Sequence, residues 1–370
     1  MRIGCVREIK NREYRVGMTP DNAKSYKNAG HEVLIEKGAG LGSGFSDAEY
    51  ERAGARLCDR AGEVWAGCDM MIKVKEPLRE EYQFFRRDLI IYTYLHLAAD
   101  RELTDAMLAS GVRGFAYETL IDKNGGTPLL APMSQIAGRL SIQEGAKYLE
   151  KTYGGEGVLL SGVPGTPKAK IVIIGGGNVG TNACKIAVGI GAEVTILDID
   201  VNRLAYLDDI FGARIQTLMS TDTNIENCLK EADLVVGSVL IPGKAAPKLV
   251  KKEYLKEMKK GSVIVDVAVD QGGCCETTKV TTHDDPIYEV DGVIHYCVGN
   301  MPGAVPRTST IALTNATLSY GLRIAEHGLE EACRRDPLMK TGVNTYDGKL
   351  TCENVALSFG MEYTDLDKLI

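Results

Sequence analysis

The chain has no run of apolar residues near the ~18 that a membrane-spanning helix needs. Its opening Met1-Arg-Ile-Gly-Cys-Val also lacks the apolar core of a signal peptide. A long basic run is missing as well, because the net charge of −7 is spread along the sequence. Nothing then supplies the phosphate-neutralising patch that nucleic-acid binding requires. The expectations are a cytoplasmic protein with no nucleic-acid partner and no membrane association. Internal repeats and low-complexity tracts are absent too. The ten cysteines are scattered, and the adjacent Cys274 and Cys275 have no second pair at zinc-ligand spacing. Reduced thiols and no metal site are therefore expected.

What is present has the balance of an ordinary globular protein, 44% hydrophobic and 25% charged over 370 residues. That length exceeds the roughly 100–200 residues that one core usually organises, so two domains are expected. Through the first third of the chain, the β-branched runs Val33–Glu36, Met70–Val74, Leu89–Tyr94 and Val112–Tyr117 alternate with amphipathic segments. This is an α/β pattern with a largely parallel sheet. Pro128 and Pro132 then punctuate the chain, and a helix is expected to begin at Ser134, whose hydroxyl would cap the first turn. After the turn-rich Gly154–Pro167 stretch, a second alternation runs through Ile171–Ile174, Glu193–Leu197, Leu234–Gly237 and Val263–Val267. Thr308–His327 reads as one long helix.

Ile171–Ile174 runs straight into Gly175-Gly176-Gly177-Asn178-Val179-Gly180, a G-x-G-x-x-G fingerprint between a buried strand and a helix. Gly175 permits the tight turn, Gly177 lets the backbone approach a pyrophosphate, and Gly180 allows close helix–strand packing. The helix N-terminus then faces the phosphate charge. The following strand ends in Asp198, about twenty residues on, where a carboxylate can bind the adenosine ribose hydroxyls. Asp200 is the alternative for that role, and Arg203 lies on the next helix. A carboxylate there repels a 2′-phosphate, so the expected cofactor is NAD. The expected architecture is α/β: a Rossmann domain over residues 133–304, inserted into a split α/β substrate domain made of 1–132 and 305–370.

A Rossmann domain names a cofactor but not a reaction. Chemistry-bearing groups stand elsewhere. Arg15 follows the charged Arg7-Glu8-Ile9-Lys10-Asn11-Arg12-Glu13-Tyr14 stretch. Lys75 ends the Met70–Val74 strand, and ligands gather at such strand ends. His96, one of five histidines, ends another, and its side chain suits proton exchange near neutrality. Asp270 lies just past the apolar Val263–Val267 run.

The segments Val6–Thr19, Val74–Pro77, Tyr94–Leu97, Met133–Gly138, Gly175–Gly180, Asp266–Gly272 and Val298–Pro306 occur in an order and at spacings that resemble the alanine dehydrogenase family. They also resemble its relative, the NAD-binding portion of proton-translocating transhydrogenase. The resemblance covers essentially the whole chain. It implies reversible NAD-dependent deamination of L-alanine to pyruvate and ammonia. It assigns Arg15 and Lys75 to the substrate, and His96 and Asp270 to proton transfer. Implied cofactor contacts are Ser134, Asn178, Val179, Asp198, Ser220, Val239, Leu240, Val267, Ala268, Val269, Asp270, Val298, Gly299, Asn300 and Met301. The fingerprint's Gly175, Gly177 and Gly180, together with Arg203, complete that surface. Lys279 stands where the family often has an arginine contact. Some family members bind magnesium through a Glu and a His four residues apart on the long helix. This chain has Arg323 and His327 there, and an arginine cannot ligate a cation, so no such site is expected. A homohexamer is also implied. The alternatives are an NAD-binding transhydrogenase-like subunit and a non-catalytic NAD(H) sensor; the intact set of proton-transfer groups favours the enzyme.

Overall fold

The computed structural model describes residues 1–239 and 246–370. The chain divides into two compact units, one made of Met1–Met133 with Val305–Ile370 and the other of Ser134–Ala304. The strands are, in chain order, β1 (Arg2–Cys5), β2 (Glu32–Glu36), β3 (Arg56–Cys58), β4 (Met70–Ile72), β5 (Ile90–Thr93) and β6 (Arg113–Ala116) in the first unit. The second unit holds β7 (Lys170–Ile174), β8 (Glu193–Asp198), β9 (Ile215–Met219), β10 (Leu234–Gly237), β11 (Val263–Asp266), β12 (Ile287–Val290) and β13 (Val293–Tyr296). The returning chain adds β14 (Val343–Tyr346) and β15 (Lys349–Leu350) to the first.

Both sheets follow one plan. The first is ordered β15-β14-β6-β5-β4-β1-β2-β3 and the second β12-β13-β11-β10-β7-β8-β9. Pairing is parallel except for β14 against β6 and β15, and β12 against β13. In each sheet the winding reverses once, between β1 and β4 in the first and between β7 and β10 in the second. At such a switch point the crossover helices lie on opposite faces and leave a crevice beyond the carboxyl ends of the strands.

Helices on both faces explain the runs of apolar residues, since a parallel strand is buried on both sides. β10, β11 and β13 are buried throughout, while the edge strands β9 and β12 are only partly covered. The first unit packs Leu34, Trp65, Met71, Ile91 and Leu103 into its core, and the second packs Val172, Ile174, Leu197, Val235 and Ile264.

Three expectations need correction. The helix expected at Ser134 spans Ala131–Tyr148. Pro132 sits in its first turn, where no N–H is required, so the proline starts the helix and Ser134 lies inside it. The strands expected to run to Val74 and Tyr117 stop at Ile72 and Ala116: Tyr117 opens a short 3-10 turn, whereas past Ile72 the Lys73 amide still donates to the Tyr92 carbonyl at 3.2 Å and only the regular strand ends. Among strands not foreseen, β1 is the most consequential. Its four residues, read only as the chain's opening, form a central strand of the first sheet.

All ten cysteines are free. Burial pushes the Cys5 and Cys68 thiols up to about 12, which leaves them unreactive. Among the described residues, no helix is long and apolar enough to cross a membrane.

At the amino end of the second sheet, Asp233 accepts from the Lys170 amide at 2.6 Å and pairs with Lys259. Burial, and then the neighbouring Asp233 carboxylate, push Glu156 up from 4.5 to about 7. The folded state therefore holds a proton that the unfolded chain releases. This contribution to stability is complete below about pH 4.5 and lost as pH rises through about 7. We expect the stability difference between wild type and Glu156→Gln, measured by denaturant unfolding at several pH values, to fall across that window. Parallel profiles for the two proteins would remove the coupling.

Candidate active site

The loop after β1 carries Arg15, which is 2% exposed. Its guanidinium meets Glu13 through two parallel bonds, Nε to Oε1 at 2.7 Å and Nη2 to Oε2 at 2.6 Å, and Nη1 donates to the Met133 sulfur at 3.1 Å. Burial opposes the charge on Arg15, but Glu13 outweighs it and holds the group firmly protonated. The backbone is fixed on either side: Ser43 Oγ donates to the Tyr14 carbonyl at 3.0 Å, and the Val16 amide donates to Thr310 Oγ1 at 3.1 Å. Thr19 caps the helix Pro20–Asn28 in a reciprocal pair with Asn22, with Pro20 as its first residue. Thr19 and Pro20 thus end the loop.

Across the switch point, the segment after β4 places two lysines in opposite situations. Lys73 is 1% exposed, its ammonium 3.0 Å from both Glu8 Oε2 and Glu81 Oε1. Glu8 also accepts from the amides of Val74 (2.6 Å) and Lys75 (3.3 Å). Lys75 instead has Glu76 at 3.9 Å. Burial lowers the Lys75 pKa; Glu76 partly offsets this, while Arg15 and Lys10 reinforce it.

His96 follows β5 in the left-handed region, at φ 50° and ψ 33°, a conformation that costs a residue with a Cβ roughly 1–2 kcal/mol. Glu118, from the turn after β6, accepts from the His96 amide at 2.6 Å and the Leu95 amide at 3.2 Å. The exposed imidazole stacks on Tyr94, centroids 5.8 Å apart and planes at 13°. Tyr94 is anchored through its hydroxyl to the Leu129 carbonyl at 2.6 Å.

In the second unit, most of the sequence-predicted cofactor residues stand at carboxyl ends of strands. Gly175–Gly180 follow β7, Asp198 ends β8, Ser220 follows β9, Val239 follows β10, Val267–Asp270 follow β11, and Val298–Met301 follow β13. Leu240 lies outside the described residues. Gly175 has φ +101°, open only to glycine without strain. A Cβ on Gly180 would run into the Gly175 carbonyl, whereas one on Gly177 would meet nothing within 4 Å. The tight turn, the helix contact and a stretch of backbone open to an approaching pyrophosphate are thus all present. Helix Asn178–Ile190 begins there with its amides unspent. The glycine segment therefore fits a dinucleotide's phosphates.

The Gly176 peptide is held at both ends: its N–H donates to Asp198 Oδ2 at 2.6 Å, and its carbonyl accepts from Arg203 Nε. Arg203 also donates to Thr181 Oγ1 at 2.6 Å. Asp200 caps the helix Val201–Phe211 through the Asn202 amide. Asp270 Oδ2 accepts from the Asn300 amide at 3.4 Å, joining the loops after β11 and β13. Asn300 is left-handed, with φ 58°. Lys279 lies 4.4 Å above the Tyr288 ring. Ser134 is half-buried on the helix Ala131–Tyr148.

Among the described residues, the ligand atoms of Asp266, Cys274 and Cys275 lie within 4.8 Å of one another. The Asp266 carboxylate already accepts from the Ala268, Cys274 and Cys275 amides and from Thr278 Oγ1. Those donors occupy the lone pairs a cation would need, so the cluster closes a loop. On the long helix Pro306–His327, Arg323 pairs with Asp336 at 2.9 Å and His327 meets Arg335 at 3.1 Å.

Sequence reasoning passed over Glu8, Glu13, Lys73, Glu118 and Ser238, whose hydroxyl donates to the Ile174 and Gly175 carbonyls. Two of them carried a signal. Glu118 is the first acid past the Val112–Tyr117 run, and Glu13 lies two residues before Arg15.

Two doubly wound sheets, one inserted in the other's sequence and each with polar groups gathered at its switch point, define a two-unit α/β protein with a dinucleotide-type cradle. The comparisons narrow the class. Residues 4–137 match the model of the alanine dehydrogenase/PNT N-terminal domain, and residues 141–353 that of the C-terminal domain. The chain is 55% identical over 368 residues to an alanine dehydrogenase of Staphylococcus haemolyticus, covering 99% of this chain and 98% of that one. It is 56% identical to one of Methanococcus maripaludis over the full length of both. A solved L-alanine dehydrogenase superposes with a TM-score of 0.95 at 50% identity, over 97% of this chain and 99% of that one. A transhydrogenase from Sinorhizobium meliloti reaches 0.82 at 25%, over 95% and 99%. The chain belongs to the alanine dehydrogenase/PNT family.

Proposed function

We propose that the protein is an NAD-dependent L-alanine dehydrogenase, interconverting L-alanine with pyruvate and ammonia. The observation that carries this reading is the first unit's switch point, where Arg15, Lys75 and His96 stand beyond the carboxyl ends of adjoining strands, in a chain similar over its whole length to proteins of that name. Family membership implies a nicotinamide cofactor, which when bound accepts or supplies the hydride. NAD rather than NADP follows from Asp198, whose carboxylate repels a 2′-phosphate, and from Arg203, whose guanidinium is engaged by the glycine loop.

This chain's groups account for the remaining steps. Glu13 holds the Nε–Nη2 side of Arg15 and keeps the guanidinium charged and oriented, and the substrate carboxylate pairs with that guanidinium. Lys75, with its lowered affinity for its proton, stabilises negative charge on the nascent carbonyl oxygen. His96 accepts a proton from the water that attacks the iminium carbon, giving a carbinolamine. Collapse to pyruvate and ammonia takes proton help from His96 or Asp270.

The test follows NADH absorbance with L-alanine and NAD⁺, and in reverse with pyruvate, ammonium and NADH. Turnover both ways, lost without ammonium in reverse and much weaker with NADPH, is expected. NADH binding without turnover would overturn the reading. Arg15→Lys keeps the charge but loses the fork and the two-bond hold of Glu13. Hydrogen bonds to charged groups contribute about 1.5–3 kcal/mol, so KM for pyruvate should rise roughly 10–100-fold, with a smaller change in kcat. An unchanged KM would remove Arg15 from the substrate site.

A further inference from the structure

We infer that Glu118 is a positioning residue for the proton-transfer step: its carboxylate holds the His96 backbone left-handed and so aims the imidazole. The inference rests on the reading of His96 given above.

Three observations support it. The His96 backbone is in a region that a residue with a Cβ enters only when its surroundings hold it there. Glu118 Oε1 accepts from two successive amides, those of Leu95 and His96, and the bond to His96 is the shorter at 2.6 Å. Two adjacent N–H groups converging on one anion require the chain to turn as it does here, so the carboxylate and the left-handed turn stabilise each other. Finally, the turn bearing Glu118 is itself tied down: Thr119 Oγ1 donates to Asn344 Oδ1 at 2.8 Å, on β14. β5 and β6 are parallel neighbours, so His96 and Glu118 leave the same end of the sheet side by side.

Glu118 is bonded to the His96 backbone, and the ring is packed on Tyr94. Its part is therefore orientation, since without the acceptor His96 is released to the extended region and the ring leaves Tyr94. A group that acts only through His96 loses its effect once the imidazole is gone.

A double-mutant cycle reads this directly. Glu118→Ala should lower kcat on the order of 10–100-fold, with KM for pyruvate and NADH affinity by fluorescence changed less than about threefold, because Arg15 and the second unit are untouched. Glu118→Asp, which withdraws the carboxylate but keeps its charge, should behave similarly and serves if the alanine variant does not fold. Glu118→Gln keeps an acceptor oxygen and should recover most of the loss. In a His96→Ala background, Glu118→Ala or Glu118→Asp should cause no further drop. Independent, multiplying losses would overturn the inference, as would a glutamine variant no better than alanine. Near-full turnover by His96→Ala alone would instead overturn the reading of His96, and the inference with it.

Discussion

His96→Ala should lower kcat about a hundredfold or more while leaving NADH binding intact. A positioned general acid–base typically contributes 10²–10⁴-fold. The water attacking the iminium carbon must lose a proton as it bonds, and without the imidazole that proton passes to bulk solvent. The side chain is exposed, stacks on Tyr94 and lowers the Glu76 carboxyl only as the last of several influences, so its removal disturbs the fold little. The loss should therefore appear in kcat, with melting behaviour near that of wild type. Added imidazole should restore part of the rate, because the exposed ring leaves a gap that solvent reaches. A variant with near-full turnover would take His96 out of the chemistry.

The second large effect concerns stability. Lys73→Ala leaves Glu8 and Glu81 facing each other in the interior with no cation between them. Burial alone already pushes the Glu8 carboxyl up, and Lys73 is the chief influence holding it down. Breaking a buried ion pair by removing one partner costs about 3–5 kcal/mol. For a unit on the order of 200 residues this is a fall of about 6–20 °C in melting temperature. Lys73→Met separates causes, since it keeps the buried stem and removes only the charge; it should recover little if the carboxylates are the problem. Lys75→Ala is the contrast. Among the described residues its ammonium has no carboxylate closer than Glu76 at 3.9 Å, so activity should fall without comparable loss of stability. Scanning calorimetry of the three variants decides the matter: coincident melting of Lys73→Ala and wild type would show that the triad contributes nothing.

These two lysines also show how far the sequence reaches. In Ile72-Lys73-Val74-Lys75, both lysines stand at a strand end, and nothing local distinguishes one that neutralises two acids from one that approaches a substrate. The answer lies in Glu8 and Glu81, on other elements. Glu118 escaped for the same reason, because its partner amides belong to a neighbouring strand's loop. By contrast, the glycine fingerprint and the strand end at Asp198 were legible, since their constraints are local: a tight turn, a helix start and a strand end at fixed spacing.

The sequence by itself determined the α/β class, the glycine loop and the family, and it raised the expectation that one domain is inserted in another. Each is written in periodicity, in residue types demanded by backbone geometry, or in an ordered series of motifs. It also placed Lys75, His96 and Asp270 at ends of strands, and Arg15 in a charged stretch with no element assigned to it. Only the tertiary structure decided what holds those groups. Arg15 is clamped by Glu13, the Lys75 backbone is bonded to Glu8 of a buried ion triad, and His96 is bent left-handed against Glu118. The reason is physical. A buried charge must find its partner in space, and a parallel sheet brings side by side residues that the chain separates by a crossover helix.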